Sequence, residues 1–192
     1  MENHIQTQKS FLSTQDFGES RDLISSCIDD IQNQLIEYPP IMVYGKQCRQ
    51  NRSIGFFSDT SIGYFYSRQL CESKPLTNNL KLLLEKVNQR FQADFNGILV
   101  NKYLGGEDYI GKHSDDETGL DPVGVVSLSY GAVRKFRIRE KKSGKIVIDI
   151  PTLQYHLIHM GGDFQKEFTH EIPVEKKVKD VRYSFTFRKH IT

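Results

Sequence analysis

The stretch from Lys135 to Met160, KFRIREKKSGKIVIDIPTLQYHLIHM, decides the fold. Its β-branched and aromatic residues fall into short blocks, Lys135 to Arg139, Ile146 to Ile150 and Leu153 to Met160. Glu140 to Gly144 has the composition of a hairpin tip. Blocks of the same kind recur on both sides: Gly97 to Tyr103, Val123 to Ser129, Arg182 to Arg188, and a shorter one from Phe168 to Ile172. Six or more strands separated by Gly-, Asp- and Lys-rich turns, from Phe95 onward, have the spacing of a β sandwich or barrel.

The first half reads differently. Leu23, Ile24, Cys27, Ile28, Ile31 and Leu35 recur every three to four residues, which predicts a helix from about Glu19 to Leu35, stopped by Tyr38-Pro39-Pro40. A second helix is expected from Thr77, as its cap, to about Gln92, with Leu80, Leu83, Leu84, Val87 and Phe91 as its apolar stripe. Two helices followed by a run of strands predict an α+β domain whose helices back one sheet. Residues 1–17 are polar and unpatterned and are expected to be a loose lead-in, with one domain over 18–192.

Length and composition agree with one globular domain. The 192 residues are 38% hydrophobic and 26% charged, which excludes a low-complexity or disordered chain. No stretch approaches a membrane span, and Met1 to Ser10 lacks the apolar core of a signal peptide, so an intracellular monomer without membrane contact is expected. Cys27, Cys48 and Cys71 are odd in number and lack CxxC spacing, which suits a reducing compartment. Net charge is only +2, but its distribution is uneven. Glu107 to Asp121 carry six carboxylates against one lysine, and Arg134 to Lys145 seven basic residues against Glu140.

The acidic stretch contains His113-Ser114-Asp115. On an extended backbone residues i and i+2 point the same way, so this imidazole and carboxylate can take neighbouring positions around one metal ion. A second histidine from a distant strand can be the third donor. Such a 2-His-1-carboxylate set leaves open positions and is associated with non-haem Fe(II) oxygenases; a solvated acidic turn is the other reading of the same residues. His170 is a candidate third donor. His156 and His159 compete with it from an apolar strand, where a buried, hydrogen-bonded histidine is the commoner case.

Four motifs occur in order: Asn101-Lys102-Tyr103, His113-Ser114-Asp115-Asp116-Glu117, the lone His170 in Phe168 to Pro173, and Arg182-Tyr183-Ser184-Phe185-Thr186-Phe187-Arg188. Together they resemble the AlkB family, and most closely its double-strand-directed nucleic-acid repair branch, in which NxY, HxDDE, a distal His and RxNxTFR occur on a double-stranded β-helix, a jelly roll. The resemblance runs from about Phe95 to His190, more weakly from Met42 to Arg68. It implies that His113, Asp115 and His170 bind Fe(II) and that 2-oxoglutarate chelates the same metal, with O₂ as the oxidant. Arg182 and Arg188 would hold the co-substrate, helped by Asn101 and Tyr103. Ser184 stands where the family more often has Asn, which leaves its part in co-substrate binding open.

The resemblance also implies a substrate: DNA, or RNA, carrying 1-methyladenine or 3-methylcytosine, whose N-methyl group is oxidised and lost as formaldehyde. Tyr66, with Tyr64 nearby, would face the base opposite His113, Asp116 or Glu117 would meet its amine or cationic ring, and Tyr44 would fill the gap left by a flipped base. Lys46, Arg49, Arg52, the hairpin cations from Arg134 to Lys145 and Lys176, Lys177 and Lys179 are candidates for a phosphate track. Two alternatives stay open: the same chemistry on RNA or a protein side chain, and a barrel that binds nucleic acid without turnover.

Overall fold

The computed structural model describes residues 1–43, 45–66, 69–115 and 123–190. In chain order the elements are β1 (Glu2–Gln6), β2 (Ser10–Asp16), α1 (Arg21–Ile31), β3 (Pro40–Val43), β4 (Lys46–Arg49), β5 (Ser53–Phe57), β6 (Gly63–Tyr66) and β7 (Gln69–Lys74). There follow α2 (Asn78–Phe91), β8 (Gly97–Tyr103), β9 (Ile110–His113), β10 (Val125–Gly131), β11 (Lys135–Glu140) and β12 (Ile146–Pro151). The last are β13 (His156–Gly162), α3 (Phe164–Glu167), β14 (Phe168–Ile172) and β15 (Arg182–Arg188). Two sheets face each other, one ordered β1-β2-β13-β10-β15-β8-β5-β7-β6 and one ordered β12-β11-β14-β9; β3 and β4 form a separate hairpin. This is the expected jelly roll.

Alternation along each strand sorts its side chains. Tyr183, Phe185 and Phe187 of β15, with Ile98 and Val100 of β8, face α1 and α2 and meet Ile24, Ile28, Leu80 and Val87. Full burial of a phenylalanine such as Phe185 contributes about 1.5–3 kcal/mol. The other face of the same sheet packs on β11, β12 and β14 through Val125, Ile158, Met160, Phe136, Ile138 and Ile150. Thr77 caps α2 by accepting from the Leu80 amide at 3.2 Å. Thr77→Ala is expected to cost about 1 kcal/mol, read as a shifted denaturation midpoint with an unchanged slope.

Three expectations are corrected. Residues 1–17 are not a loose lead-in. Residues 2–6 and 10–16 form a hairpin whose inner strand pairs with β13 from His156↔Asp16 to Gly162↔Ser10, and Leu12 and Phe17 are buried. Its polar composition hides this, because β1 lies at the sheet edge and few of the hairpin's side chains enter the core. Helix α1 ends at Ile31, not Leu35; a turn follows, and Ile36 bridges to Ile54. Residues 40–74 hold five strands that the helix-then-strand reading passes over. No helix among the described residues is long and apolar enough to cross a membrane.

Candidate active site

On β15 the helix-facing rings leave Arg182, Ser184, Thr186 and Arg188 on the opposite face, aimed between the sheets. On β8 the same alternation sends Leu99, Asn101 and Tyr103 there. The register sets Arg182 opposite Tyr103 and Ser184 opposite Asn101. The smaller sheet supplies the histidines: the antiparallel pairing of β9 and β14 sets His113 directly opposite His170, with ring centroids 4.3 Å apart. Residues distant in sequence thus become cross-strand neighbours.

Asp115 closes the cluster. Its Oδ1 lies 3.9 Å from His113 Nε2 and its Oδ2 3.5 Å from His170 Nε2. One donor atom from each residue can be chosen so that all lie within 4.8 Å of one another. Burial pushes the Asp115 carboxyl up, but the Arg188 guanidinium, which donates to Oδ1 at 3.0 Å, and the two imidazoles outweigh it and hold the group well below the usual carboxylate range. Burial pushes both imidazoles down, His170 to about 3, with a further push from His113; Asp115 opposes this without reversing it. At neutral pH the site is therefore one carboxylate and two neutral imidazoles. That is the protonation a divalent metal needs, since no proton has to leave. The His113 Nδ1 atom is engaged by the Gly111 carbonyl at 2.9 Å, which leaves Nε2 to face Asp115. This donor set fits Fe(II).

Asn101, Tyr103, Arg182, Ser184 and Arg188 line the same pocket as the three donors. Arg182 is fully buried. Its Nε donates to Thr152 Oγ1 at 3.2 Å and its Nη2 to Ser129 Oγ at 3.0 Å, while the guanidinium stands over the Tyr103 ring at 5.2 Å. Its Nη1 has no partner among the described residues, and no carboxylate there pairs with it. Among the described residues Ser184 Oγ accepts a long 3.5 Å contact from Asn101 Nδ2. Tyr64 and Tyr66 lie on β6, but their side chains are outside the described ones; Tyr44, Asp116 and Glu117 lie outside the described residues.

Some cations differ from expectation. Arg52 is not on a phosphate track: it is 4% exposed, lines the pocket and donates from Nε to Asn101 Oδ1 at 2.6 Å. Every residue of β5 after it is buried, so alternation singles out no inward side and no local pattern marks it. Among the hairpin cations, Arg134 is buried, Arg137 makes two bonds to Asp149 at 2.7 and 2.8 Å, and Arg139 bonds Glu171 at 2.9 Å. These three are held within the protein; Lys142, Lys145, Lys46, Arg49, Lys176, Lys177 and Lys179 are exposed. The competing histidines are accounted for. His159 Nε2 lies 2.6 Å from the Val123 carbonyl with its ring against Phe11 and Phe91, and His156 Nδ1 lies 3.1 Å from the Gln154 carbonyl.

Comparison with known proteins agrees with this geometry. DNA oxidative demethylase ALKBH2 of Homo sapiens is 33% identical over 157 residues, covering 78% of this chain and 60% of that protein. Alpha-ketoglutarate-dependent dioxygenase alkB homolog 3 of Bos taurus is 32% identical over 135 residues, covering 65% of this chain and 47% of that one. The chain thus spans less than two thirds of the length of either relative. The solved structure of OsALKBH1 superposes with a TM-score of 0.59 at 14% identity, over 98% of this chain and 100% of that one, which shows a shared fold. The sequence pattern of the 2OG-Fe(II) oxygenase superfamily matches residues 8–188. Because that pattern runs through every strand that carries a metal donor or faces the pocket, the chain belongs to the 2OG-Fe(II) oxygenase superfamily.

Proposed function

We propose that the protein is an Fe(II)- and 2-oxoglutarate-dependent dioxygenase that removes N-linked methyl groups from alkylated bases in DNA, with 1-methyladenine and 3-methylcytosine as substrates and formaldehyde as product. The observation that carries it is one pocket holding both an iron donor set and a buried arginine without a carboxylate partner among the described residues, in a chain whose relatives include DNA oxidative demethylases. His113, Asp115 and His170 would hold Fe(II), which would supply the activation of O₂ for oxidation of the methyl carbon, coupled to conversion of 2-oxoglutarate to succinate and CO₂.

The chain's own residues bind and orient. Arg188, bonded to Asp115, stands at the metal end of the pocket, where the keto-acid end of the co-substrate would lie. Arg182 stands at the Tyr103 end, where its guanidinium would take the distal carboxylate. Asn101 and Tyr103 would add neutral hydrogen bonds, and Ser184, which lines the same pocket, has a hydroxyl that could join them. The base would lie on the His113 side, met by Tyr64, Tyr66, Asp116 and Glu117, with Tyr44 in the gap that it leaves. Exposed Lys46 and Arg49, on β4, would meet phosphates.

Arg182→Met is expected to raise the KM for 2-oxoglutarate about 10- to 100-fold, the worth of a charge-assisted hydrogen bond of about 1.5–3 kcal/mol. Its thermal midpoint should hold or rise, because a buried charge without an opposite partner is removed. An unchanged KM would remove Arg182 from the co-substrate site. The proposal as a whole is tested by mass spectrometry of single- and double-stranded DNA and RNA oligonucleotides carrying either lesion, with Fe(II) and 2-oxoglutarate omitted in turn. Methyl loss that requires both supports it. Succinate formation with every oligonucleotide unchanged would move the substrate to another class, and no turnover by metal-loaded protein would favour a binding module.

A further inference from the structure

Asp115 is a metal donor that the sheet does not hold. Strand β9 ends at His113, where it still faces His170, so the backbone of Asp115 lies beyond the ladder. An amide buried at that point needs another acceptor. It has one: the Asp115 N–H donates to the side-chain oxygen Oε1 of Gln165 at 3.0 Å, and beside it Ser114 Oγ donates to the Phe168 carbonyl at 3.2 Å.

Gln165 is itself firmly placed. It is 6% exposed, its Nε2 faces Met160 Sδ at 3.7 Å, and its main-chain carbonyl receives Lys141 Nζ at 2.7 Å. It lies on α3, the single turn that leads into β14 and His170. The chain enters that turn through Gly162, whose φ of +66° and whose 2.0 Å approach of a would-be Cβ to the Lys9 carbonyl leave room for glycine alone. Gln165 does not line the metal pocket, so it touches neither metal nor co-substrate.

We propose that Gln165 is a positioning residue that replaces the missing strand pairing at Asp115 and so sets the carboxylate against His170 before metal arrives. The metal side of this inference rests on the oxygenase reading above. Without the Gln165 oxygen the Asp115 backbone can turn, and a site with three ordered donors becomes one with two. Outer partners of this kind typically contribute 10- to 100-fold in metal affinity.

The test compares full-length wild type, Gln165→Met, which keeps the volume and loses the acceptor, and Gln165→Glu, which keeps an acceptor oxygen, all metal-free and titrated with Co(II) as a spectroscopic probe. Gln165→Met is expected to bind Co(II) about 10- to 100-fold more weakly, with circular dichroism and thermal midpoint near wild type, and Gln165→Glu to recover most of that loss. In the metal-free protein, hydrogen exchange at the Asp115 amide should accelerate in Gln165→Met alone. Wild-type Co(II) affinity together with wild-type exchange in Gln165→Met would overturn the positioning role and leave the oxygenase reading standing. Failure of wild type itself to bind Co(II) would overturn that reading and the metal side of this one with it.

Discussion

Replacing His170 with alanine is expected to abolish metal binding and 2-oxoglutarate turnover while the domain stays folded. The imidazole is buried, and burial together with His113 pushes its pKa down to about 3, so at neutral pH it is an uncharged donor. Its Nδ1 has no partner among the described residues, and its ring stacks on Phe136 at 5.2 Å. Removal takes one of three donors from the cluster and leaves the pairing of Asp115 with Arg188 in place. Metal affinity should fall by more than about 100-fold, beyond what an outer partner contributes. Stability should fall by about 1–3 kcal/mol, because the vacated space opens onto a pocket. Metal content and thermal midpoint of the purified variant check both halves. A variant with full metal content and full turnover would show that another side chain completes the site.

The largest loss of stability is expected at Arg134, which belongs to none of the sequence motifs although its guanidinium stands over the Tyr103 ring at 5.9 Å. Its guanidinium donates from Nε to Glu175 at 3.2 Å and from Nη1 to the Gly105 carbonyl at 3.0 Å. From Nη2 it reaches the carbonyls of Gly106 at 3.5 Å, Asp108 at 2.9 Å and Pro173 at 2.7 Å. These acceptors belong to two loops, the one that enters β9 and the one that leaves β14. The loops approach so closely that a Cβ on Gly106 would stand 1.8 Å from the Glu175 carbonyl. Arg134→Ala leaves the half-buried carbonyls of Asp108 and Pro173 without this donor and Glu175 without its cation, while the Gly105 and Gly106 carbonyls keep the amides of Asp108 and Glu175; the change costs about 3–5 kcal/mol. For a chain of this size that corresponds to a fall of about 6–20 °C in thermal midpoint. Arg134→Lys should recover little, because three donors on a point charge cannot reproduce the planar fork. A midpoint within about 2 °C of wild type for Arg134→Ala would mean that water takes over the arginine's role.

Both residues bear on how the sequence reads. His170 stands out because it is one histidine in a strand whose limits, Phe168 to Ile172, are visible in composition. The strands Gly97–Tyr103 and Arg182–Arg188 are legible to the residue for the same reason, as is the cap of α2 at Thr77. Arg134 reads as one more cation in a basic run. Its acid partner is 41 residues away and its carbonyl partners lie in loops, so no local pattern sets it apart from the exposed Lys135 beside it. Arg52 is hidden in the same way, since Asn101 lies 49 residues on. Gln165 carries no signal at all, because its role exists only once β9 stops short of Asp115.

By itself the sequence determined the strands of the second half other than β9, which face of each is apolar, and which side chains have the chemistry of metal donors. All of these follow from alternation and residue type within a few positions. Only the tertiary structure decided which strands are neighbours, and with that His113 opposite His170, the polar N-terminal hairpin as part of the larger sheet, and the interior placement of Arg52 and Arg134. The physical reason is that a buried charge or a polar edge strand is stable only through partners far along the chain, and those partners are chosen by strand register.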